Sequence, residues 1–340
     1  MKRAWIPAVL AAGVTVFAAA GPVAAQTNTG TSFGSFLLIE PGARVSGMGN
    51  AGGALLGGLQ SVYYNPAAAA ELRTRALEFT ACGWLADISY RYAAAALPLD
   101  RFSAVYGSVT ALNSGDIEVR TVEKPLGTGE LYAVTDVAIS LGYGRRISDR
   151  FSAGFAVNYV QETIWNSSAS TVTLSLGTLY RVSEHGLHVG ASVTNYGTNA
   201  RFGGRDLRIV YPQDPAQHGN NNILPGEVFT DKFSVPVLFR VGLGLPLELG
   251  RDLGLNLAAD AYHPSDNDES LSLGGELLYR KSLAVRAGYQ NLFLEDSETG
   301  LTAGAGVQGG LGEGKYHVDY AWADHGRLGS TSRLTLGVTF

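Results

Sequence analysis

Along residues 76–340 the chain repeats a pattern of apolar residues alternating with polar or small ones, in stretches of about ten residues. In the last stretch Leu334, Leu336, Val338 and Phe340 alternate with Arg333, Thr335, Gly337 and Thr339. Successive side chains on a strand take opposite faces, so one face of each stretch wants an apolar solvent and the other wants water. The same alternation sets Val137, Ile139, Leu141 and Tyr143 against Asp136, Ala138, Ser140 and Gly142, and Leu255, Leu257 and Ala259 against Asn256, Ala258 and Asp260. Turn signals between such stretches divide the region into strands expected near 76–84, 87–97, 102–112, 133–145, 150–163, 169–182, 186–196, 235–246, 253–263, 269–280, 283–291, 300–312, 315–324 and 332–340. Fourteen is an even number, as a single-chain bacterial barrel requires.

The connections alternate in length as well. Residues 98–101, 146–149, 183–185, 248–252, 281–282 and 312–314 are tight and polar, whereas 113–132, 197–234, 264–268, 292–299 and 324–331 are longer, the first hairpin near Leu85 and Ala86 being the exception. Short turns mark the periplasmic side of outer-membrane barrels, so both ends of the barrel are expected in the periplasm. A further short strand is expected within residues 117–124, extending above the membrane, and the Asn166-Ser167-Ser168 run marks a hairpin loop. Residues 197–234 are too many for a bare hairpin. Arg201, Arg205 and Arg208, interspersed with Phe202, Tyr211, Pro212 and Pro215 and followed by Asn220 to Asn222, suit a lid, a receptor surface or a solvated loop.

Composition supports a membrane barrel. Charged residues make up 16% of the 340 residues and the mean hydropathy is only +0.07, too low for a bundle of membrane helices. Barrel strands cross a bilayer at such ordinary hydropathy. Lys2 and Arg3, the apolar run 8–20 and Val23-Ala24-Ala25 have the layout of a secretory signal peptide over residues 1–25. The one cysteine, Cys82, reads as a small apolar strand residue, and the net charge of −5 without a basic run argues against nucleic acid.

Residues 26–75 form an N-terminal extension that does not alternate, and 76–340 form the barrel. Glycine and alanine are dense between 42 and 72, as a segment packed inside a barrel requires, because small residues let backbones approach closely. Asn65 has the chemistry of a helix N-cap, with Pro66 at the first helical position and 67–72 continuing, so a short helix is expected within a luminal plug. The chain is therefore expected to be all-β: a 14-stranded antiparallel transmembrane barrel with an N-terminal plug, or hatch.

The run GARVSGMGNAGGALLGGLQSVYYNPAAAAEL, residues 42–72, resembles the N-terminal signature of the PorV/PorQ family within the wider group of FadL-like outer-membrane barrels. Asn65-Pro66-Ala67 is similar to the NPA motif of that group's hatch, and Gly47, Met48 and Gly49 with Arg44 to the PorV/PorQ approach to it. The resemblance implies an outer-membrane barrel that binds or passes a hydrophobic compound, with the hatch residues gating it. It also implies an alternative, a type IX secretion barrel that binds exported client proteins or a translocon at its extracellular side. Membrane lipids are partners in either case.

Following the alternation inward collects Asp136, Asn158, Arg181, His188, Arg240, Asp260, Glu276, Arg286, His317, Asp319 and Arg333. Of these Arg240, Glu276, Arg286 and Asp319 are the candidate polar lining of the lumen. Catalysis needs a nucleophile and base in reach of each other, and no HExxH, G-x-S-x-G or P-loop pattern occurs; no catalytic residue, metal ligand or cofactor is expected. Phe151, Tyr159, Tyr180, Tyr279, Tyr289, Tyr316, Tyr320 and Phe340 fall mostly near strand ends on the lipid side, where aromatic rings favour the membrane interface, and Trp84, Trp165 and Trp322 are expected to join that outer girdle.

Overall fold

The computed structural model describes residues 30–183, 186–212 and 223–340, so the signal-peptide segment 1–25 lies outside the described residues. Fourteen antiparallel strands close a barrel: β1 (Ala76–Gly83), β2 (Ser89–Pro98), β3 (Ser103–Asn113), β4 (Val134–Arg146), β5 (Phe151–Ile164), β6 (Ser167–Arg181), β7 (His188–Gly197), β8 (Leu238–Leu249), β9 (Leu253–Pro264), β10 (Ser270–Tyr279), β11 (Leu283–Leu292), β12 (Leu301–Leu311), β13 (Gly314–Asp324) and β14 (Ser330–Thr339). Each strand pairs with its sequence neighbours, and β1 pairs with β14 from Ala76↔Thr339 to Gly83↔Ser332, leaving no open edge. The Phe340 N–H donates to the Arg75 carbonyl at 3.0 Å, fastening the end of the chain below that seam.

Burial is inverted relative to a water-soluble protein. On β14 Arg333 and Thr335 are 2% and 0% exposed while Leu334 and Leu336 are 45% and 46% exposed. On β6 Thr171, Thr173 and Ser175 face inward, and Val172 and Leu176 face out. An apolar belt around a polar interior is what a bilayer demands, since every backbone group is paired within the sheet and only side chains meet the hydrocarbon. The tyrosines follow: Tyr159, Tyr180, Tyr279, Tyr289, Tyr320 and Phe340 are exposed on the outside, with Trp165 and Trp322.

Trp84 departs from the expected girdle. Its ring stacks edge-on against His325, 5.3 Å between centroids, and lies 5.2 Å beneath the Arg333 guanidinium, inside the lumen. The parity of β1 accounts for this: Ala76, Glu78, Thr80 and Cys82 are buried and inward, and Trp84 continues the series before Ala86 and Asp87 take positive φ and turn the chain.

Two β-bulges interrupt the register, both at the long-loop end. One extra residue in β7 falls between the pairs Leu174↔Tyr196 and Leu176↔Val193, and one in β11 between Leu271↔Leu292 and Leu273↔Tyr289. At each an asparagine, Asn195 (φ 64) or Asn291 (φ 55), takes the left-handed conformation that asparagine tolerates best, and its N–H donates to a serine hydroxyl on the adjacent strand. The β11 bulge lies beside Gln290, which reaches into the lumen.

Residues 30–75 occupy that lumen. A 3-10 turn (Ser35–Leu38) leads to α1 (Ala43–Ser46), a glycine-rich stretch, α2 (Ser61–Tyr64) and a second 3-10 turn (Pro66–Glu71) whose Asn65 side chain accepts from the Ala67 N–H, so the helix expected after Asn65 is a 3-10 turn. Beyond the barrel, Ile117–Glu118 pairs with Leu131–Tyr132 in the long β3–β4 loop, and Arg208–Pro212 pairs with Ile223–Glu227 in the β7–β8 loop. Asn166 lies in the β5–β6 turn.

Candidate functional site

The plug meets the wall backbone to backbone. Met48 is fully buried, and a Cβ added at Gly274 on β10 would sit 2.0 Å from its carbonyl oxygen, or at Gly288 on β11 only 2.2 Å from the Gly49 nitrogen. Gly49 holds φ +65 with the Leu273 carbonyl 2.6 Å from where its own Cβ would be, so no L side chain fits there. Its N–H donates to Thr302 Oγ1 at 2.9 Å, and Asn50 Nδ2 donates to Gln290 Oε1 at 2.6 Å beside the bulge. Gly47, Met48 and Gly49 therefore lie flush on β10 to β12.

The opposite wall holds Asn65, Pro66 and Ala67. Asn65 is 1% exposed; its Nδ2 donates to the Gly53 carbonyl (3.0 Å) within the plug and to the Thr178 carbonyl (2.9 Å) on β6, while Oδ1 accepts from Ala67 N (3.0 Å). One side chain thus joins two parts of the plug to the barrel. Pro66 needs no N–H partner at the start of its turn, and its carbonyl lies 2.4 Å from where a Cβ would be on Gly154. Ser192 on β7 completes the seat by donating to the Tyr64 carbonyl at 2.8 Å.

Charged side chains pin the plug from the sides. Arg44 Nη2 lies 2.7 Å from Glu276 Oε2, Arg286 Nε 2.9 Å from Glu276 Oε1, and Arg286 Nη1 2.7 Å from Asp319 Oδ1. His317 Nε2 extends the chain, 3.9 Å from Asp319 and 3.5 Å from Glu78 on β1. Burial disfavours the Arg44 charge, but Glu276, with Asp319 and Glu78 beyond it, outweighs that and holds the guanidinium firmly protonated. Of the expected lining, Glu276, Arg286 and Asp319 come together here.

Arg240 belongs to a separate cluster. Its guanidinium is sandwiched 4.8 Å from the Tyr64 ring and 4.9 Å from the Tyr262 ring, with Asp260 at 3.7 Å and Glu40 of the plug at 3.8 Å. Asp260 in turn accepts the Gly53 N–H at 2.7 Å. Burial raises the Glu40 carboxyl above its usual range, against the pull of Arg240 and Arg333. At the short-turn end Glu71 of the plug takes Arg146 at 2.8 Å and also Arg181 and Arg73. The plug members Arg44 (as an ion-pair partner), Glu40 and Glu71 and the wall residue Glu78 were not singled out from sequence; only Glu78 carried a signal, the inward parity of β1. Among the described residues no three His, Cys, Asp or Glu side chains are grouped to hold a metal.

The plug divides the lumen. Toward the short turns a cavity of about 440 Å³ is bordered by Arg44, Leu59, Leu72, Glu78 and His317. Toward the long loops a second of about 410 Å³ is walled by Leu38, Ile39, Trp84, Tyr262, Leu294 and Arg333. Over the other half of the mouth the β7–β8 loop folds inward: Phe202 packs edge-on against Phe33 of the plug and against Phe233, at 6.4 and 6.2 Å, above Val160. The Phe33 N–H donates to the Ser234 carbonyl at 2.9 Å. Between this loop and the β3–β4 hairpin runs an outer groove of about 850 Å³ lined by Ile117, Val119, Tyr132, Trp165 and Leu207.

No known protein family pattern matches the sequence, and no curated protein matches it. Solved structures do match. The P. putida toluene transporter TodX superposes with a TM-score of 0.56 at 11% identity over 88% of this chain and 97% of its own. A Pseudomonas aeruginosa FadL homologue gives 0.54 at 11% identity over 88% and 98%, and the CymD monoaromatic hydrocarbon channel 0.53 at 14% over 89% and 97%. The chain is similar to FadL-type outer-membrane barrels in fold; at these identities the likeness is one of architecture.

Proposed function

We propose that this protein resides in the outer membrane with its short turns in the periplasm, and that it admits a hydrophobic compound from the long-loop side and passes it when the plug shifts, without covalent chemistry. The observation that carries this reading is the plug itself: one segment meets the barrel on both sides and separates a charged cavity toward the short turns from a cavity toward the long loops where Leu38, Ile39, Trp84 and Leu294 offer apolar surface. The outer groove offers a first apolar landing, and the cavity beside Trp84 a second. There the Arg333 guanidinium, held over the Trp84 ring, borders the cavity and supplies a cation for the polar end of an amphiphile. The hydrocarbon channels among the fold neighbours, and the PorV/PorQ-like run 42–72, are in keeping with passage of a hydrophobic compound.

A client-binding role, the secretion alternative, draws on a different feature. The outer hairpin exposes Ile209 and Val210, at 44% and 63%, and Phe229 just beyond it is 78% exposed. Uptake separates the two. Cells expressing the protein should accumulate a labelled aromatic hydrocarbon or long-chain acid faster than cells lacking the gene, and should keep that advantage when residues 208–229 are deleted. Equal accumulation with and without the gene contradicts passage of the compounds used.

A further inference from the structure

The lumen leaves unused a feature of the outer wall. On β2 and β3 the outward positions shrink to Ala93, Ala95 and Gly107, between Phe79 on β1 and Leu141 on β4, and the wall there forms an apolar hollow of about 750 Å³. Its floor is closely packed: a Cβ on Gly107 would lie 3.3 Å from Leu141 Cδ2. At the short-turn end of the same strands stand three exposed arginines, Arg75 before β1, Arg101 in the β2–β3 turn and Arg145 near the end of β4. None of the three forms an ion pair among the described residues, where Arg73, Arg146 and Arg181 beside them all pair with Glu71. The acid in their midst, Asp100, spends one oxygen on the Phe102 N–H at 2.6 Å and attracts Arg145, while Arg101 lies over the Phe102 ring at 5.8 Å; one carboxylate leaves the trio with an excess of positive charge.

We infer that this face binds an anionic glycerophospholipid of the leaflet on the short-turn side, its phosphate held by Arg75, Arg101 and Arg145 and an acyl chain seated in the hollow. A guanidinium matches phosphate with two parallel hydrogen bonds, and clustered basic side chains at a membrane surface favour anionic lipid by about 1 kcal/mol each. Apolar surface bordering a hollow loses dispersion contacts unless something flexible fills it, and in a bilayer an acyl chain is at hand. A second copy of the barrel fits less well: a two-fold axis along the membrane normal would set these arginines against the same arginines of the other copy. Lipid A shares the chemistry of phosphate and acyl chain but belongs to the other leaflet.

Native mass spectrometry of the detergent-purified full chain tests this with three probes offered in turn: phosphatidylglycerol, phosphatidylcholine and lipid A. The protein should retain one phosphatidylglycerol at least about tenfold better than phosphatidylcholine, as two or more basic contacts imply. The triple variant Arg75→Gln, Arg101→Gln, Arg145→Gln should lose that preference. Filling the hollow with Ala93→Leu and Ala95→Leu, apolar changes on the lipid face that a barrel accepts, should weaken retention with the arginines intact. Heat-modifiable migration on gels confirms that each variant is folded. Equal retention of both phospholipids, a preference for lipid A, or retention unchanged in both variants overturns the inference.

Discussion

Asn65→Ala should release the plug while leaving the barrel closed. The substitution strips a hydrogen bond from two buried groups, the Gly53 carbonyl and the Ala67 N–H, and from the part-buried Thr178 carbonyl. Leaving a buried polar group unsatisfied costs about 1–3 kcal/mol, so two such groups should cost the seated state roughly 3 kcal/mol. A loss of that size multiplies the unseated population more than a hundredfold. The barrel does not share the loss, because its ladders are closed from β1 to β14 and the Thr178 carbonyl is the one barrel group involved. The expected result is an unchanged far-ultraviolet circular dichroism spectrum together with rapid hydrogen exchange of the plug amides and tryptic cleavage after Arg44. Protection of those amides equal to that of the parent protein would show that Asn65 does not hold the plug.

Glu276→Leu should have an effect of similar size by another route. Glu276 accepts from Arg44 of the plug, from Arg286 of the wall and from Asn256 Nδ2 at 2.8 Å, and it is 1% exposed. Removing it keeps Arg286 paired with Asp319 at 2.7 Å but leaves Arg44 with only the carbonyls of Leu56 and Gly57. Breaking a buried ion pair by deleting one partner costs about 3–5 kcal/mol, whereas replacing both partners with apolar groups is often neutral. Conductance in planar bilayers should therefore rise from brief openings in the parent to sustained openings in Glu276→Leu. The double variant Arg44→Met, Glu276→Leu should close again toward the parent. Sustained opening in the double variant as large as in the single one would mean that the pair holds the plug by more than charge compensation.

Much of the barrel is legible along the chain because period-two alternation fixes a face for each residue and loop length separates the two ends. Each of the fourteen strands lies within a few residues of its expected span, and Glu276, Arg286 and Asp319 are inward as their parity requires. What alternation cannot convey is who meets whom across the lumen. Arg44 and Glu276 are 232 residues apart, and nothing local in either segment marks the other. The glycines that seat the plug were equally silent. Gly154, Gly274 and Gly288 read individually as small residues in strands, and their meaning arises only where Pro66, Met48 and Gly49 press against them. Trp84 was a different kind of miss: the parity of β1 pointed inward, and the general preference of tryptophan for the membrane interface pointed out. Local geometry prevailed over the residue-type average.

The long β7–β8 loop shows the same division. Residues 197–234 declare themselves by length, and their aromatic content suggests a cover, but the stack of Phe202 between Phe33 and Phe233 depends on where the N-terminal segment enters the mouth. The arrangement couples the loop to the first residues of the plug. In the proposed passage, displacing the loop at Phe202 would pull on the same segment that carries Glu40 and Arg44 to their ion-pair partners.

Plug movement during passage is the central claim, and a reversible cross-link tests it most directly. The Ala43 N–H donates to Thr335 Oγ1 at 3.0 Å, so α1 is seated directly on β14 and a cysteine pair there is the natural place for the cross-link. With the native thiol removed by Cys82→Ala, the pair Ala43→Cys and Thr335→Cys should abolish uptake of the labelled hydrophobic compound when oxidised, and dithiothreitol should restore it. Uptake by the oxidised protein equal to that of the reduced protein, with the cross-link shown to be complete by mass spectrometry, would contradict the account.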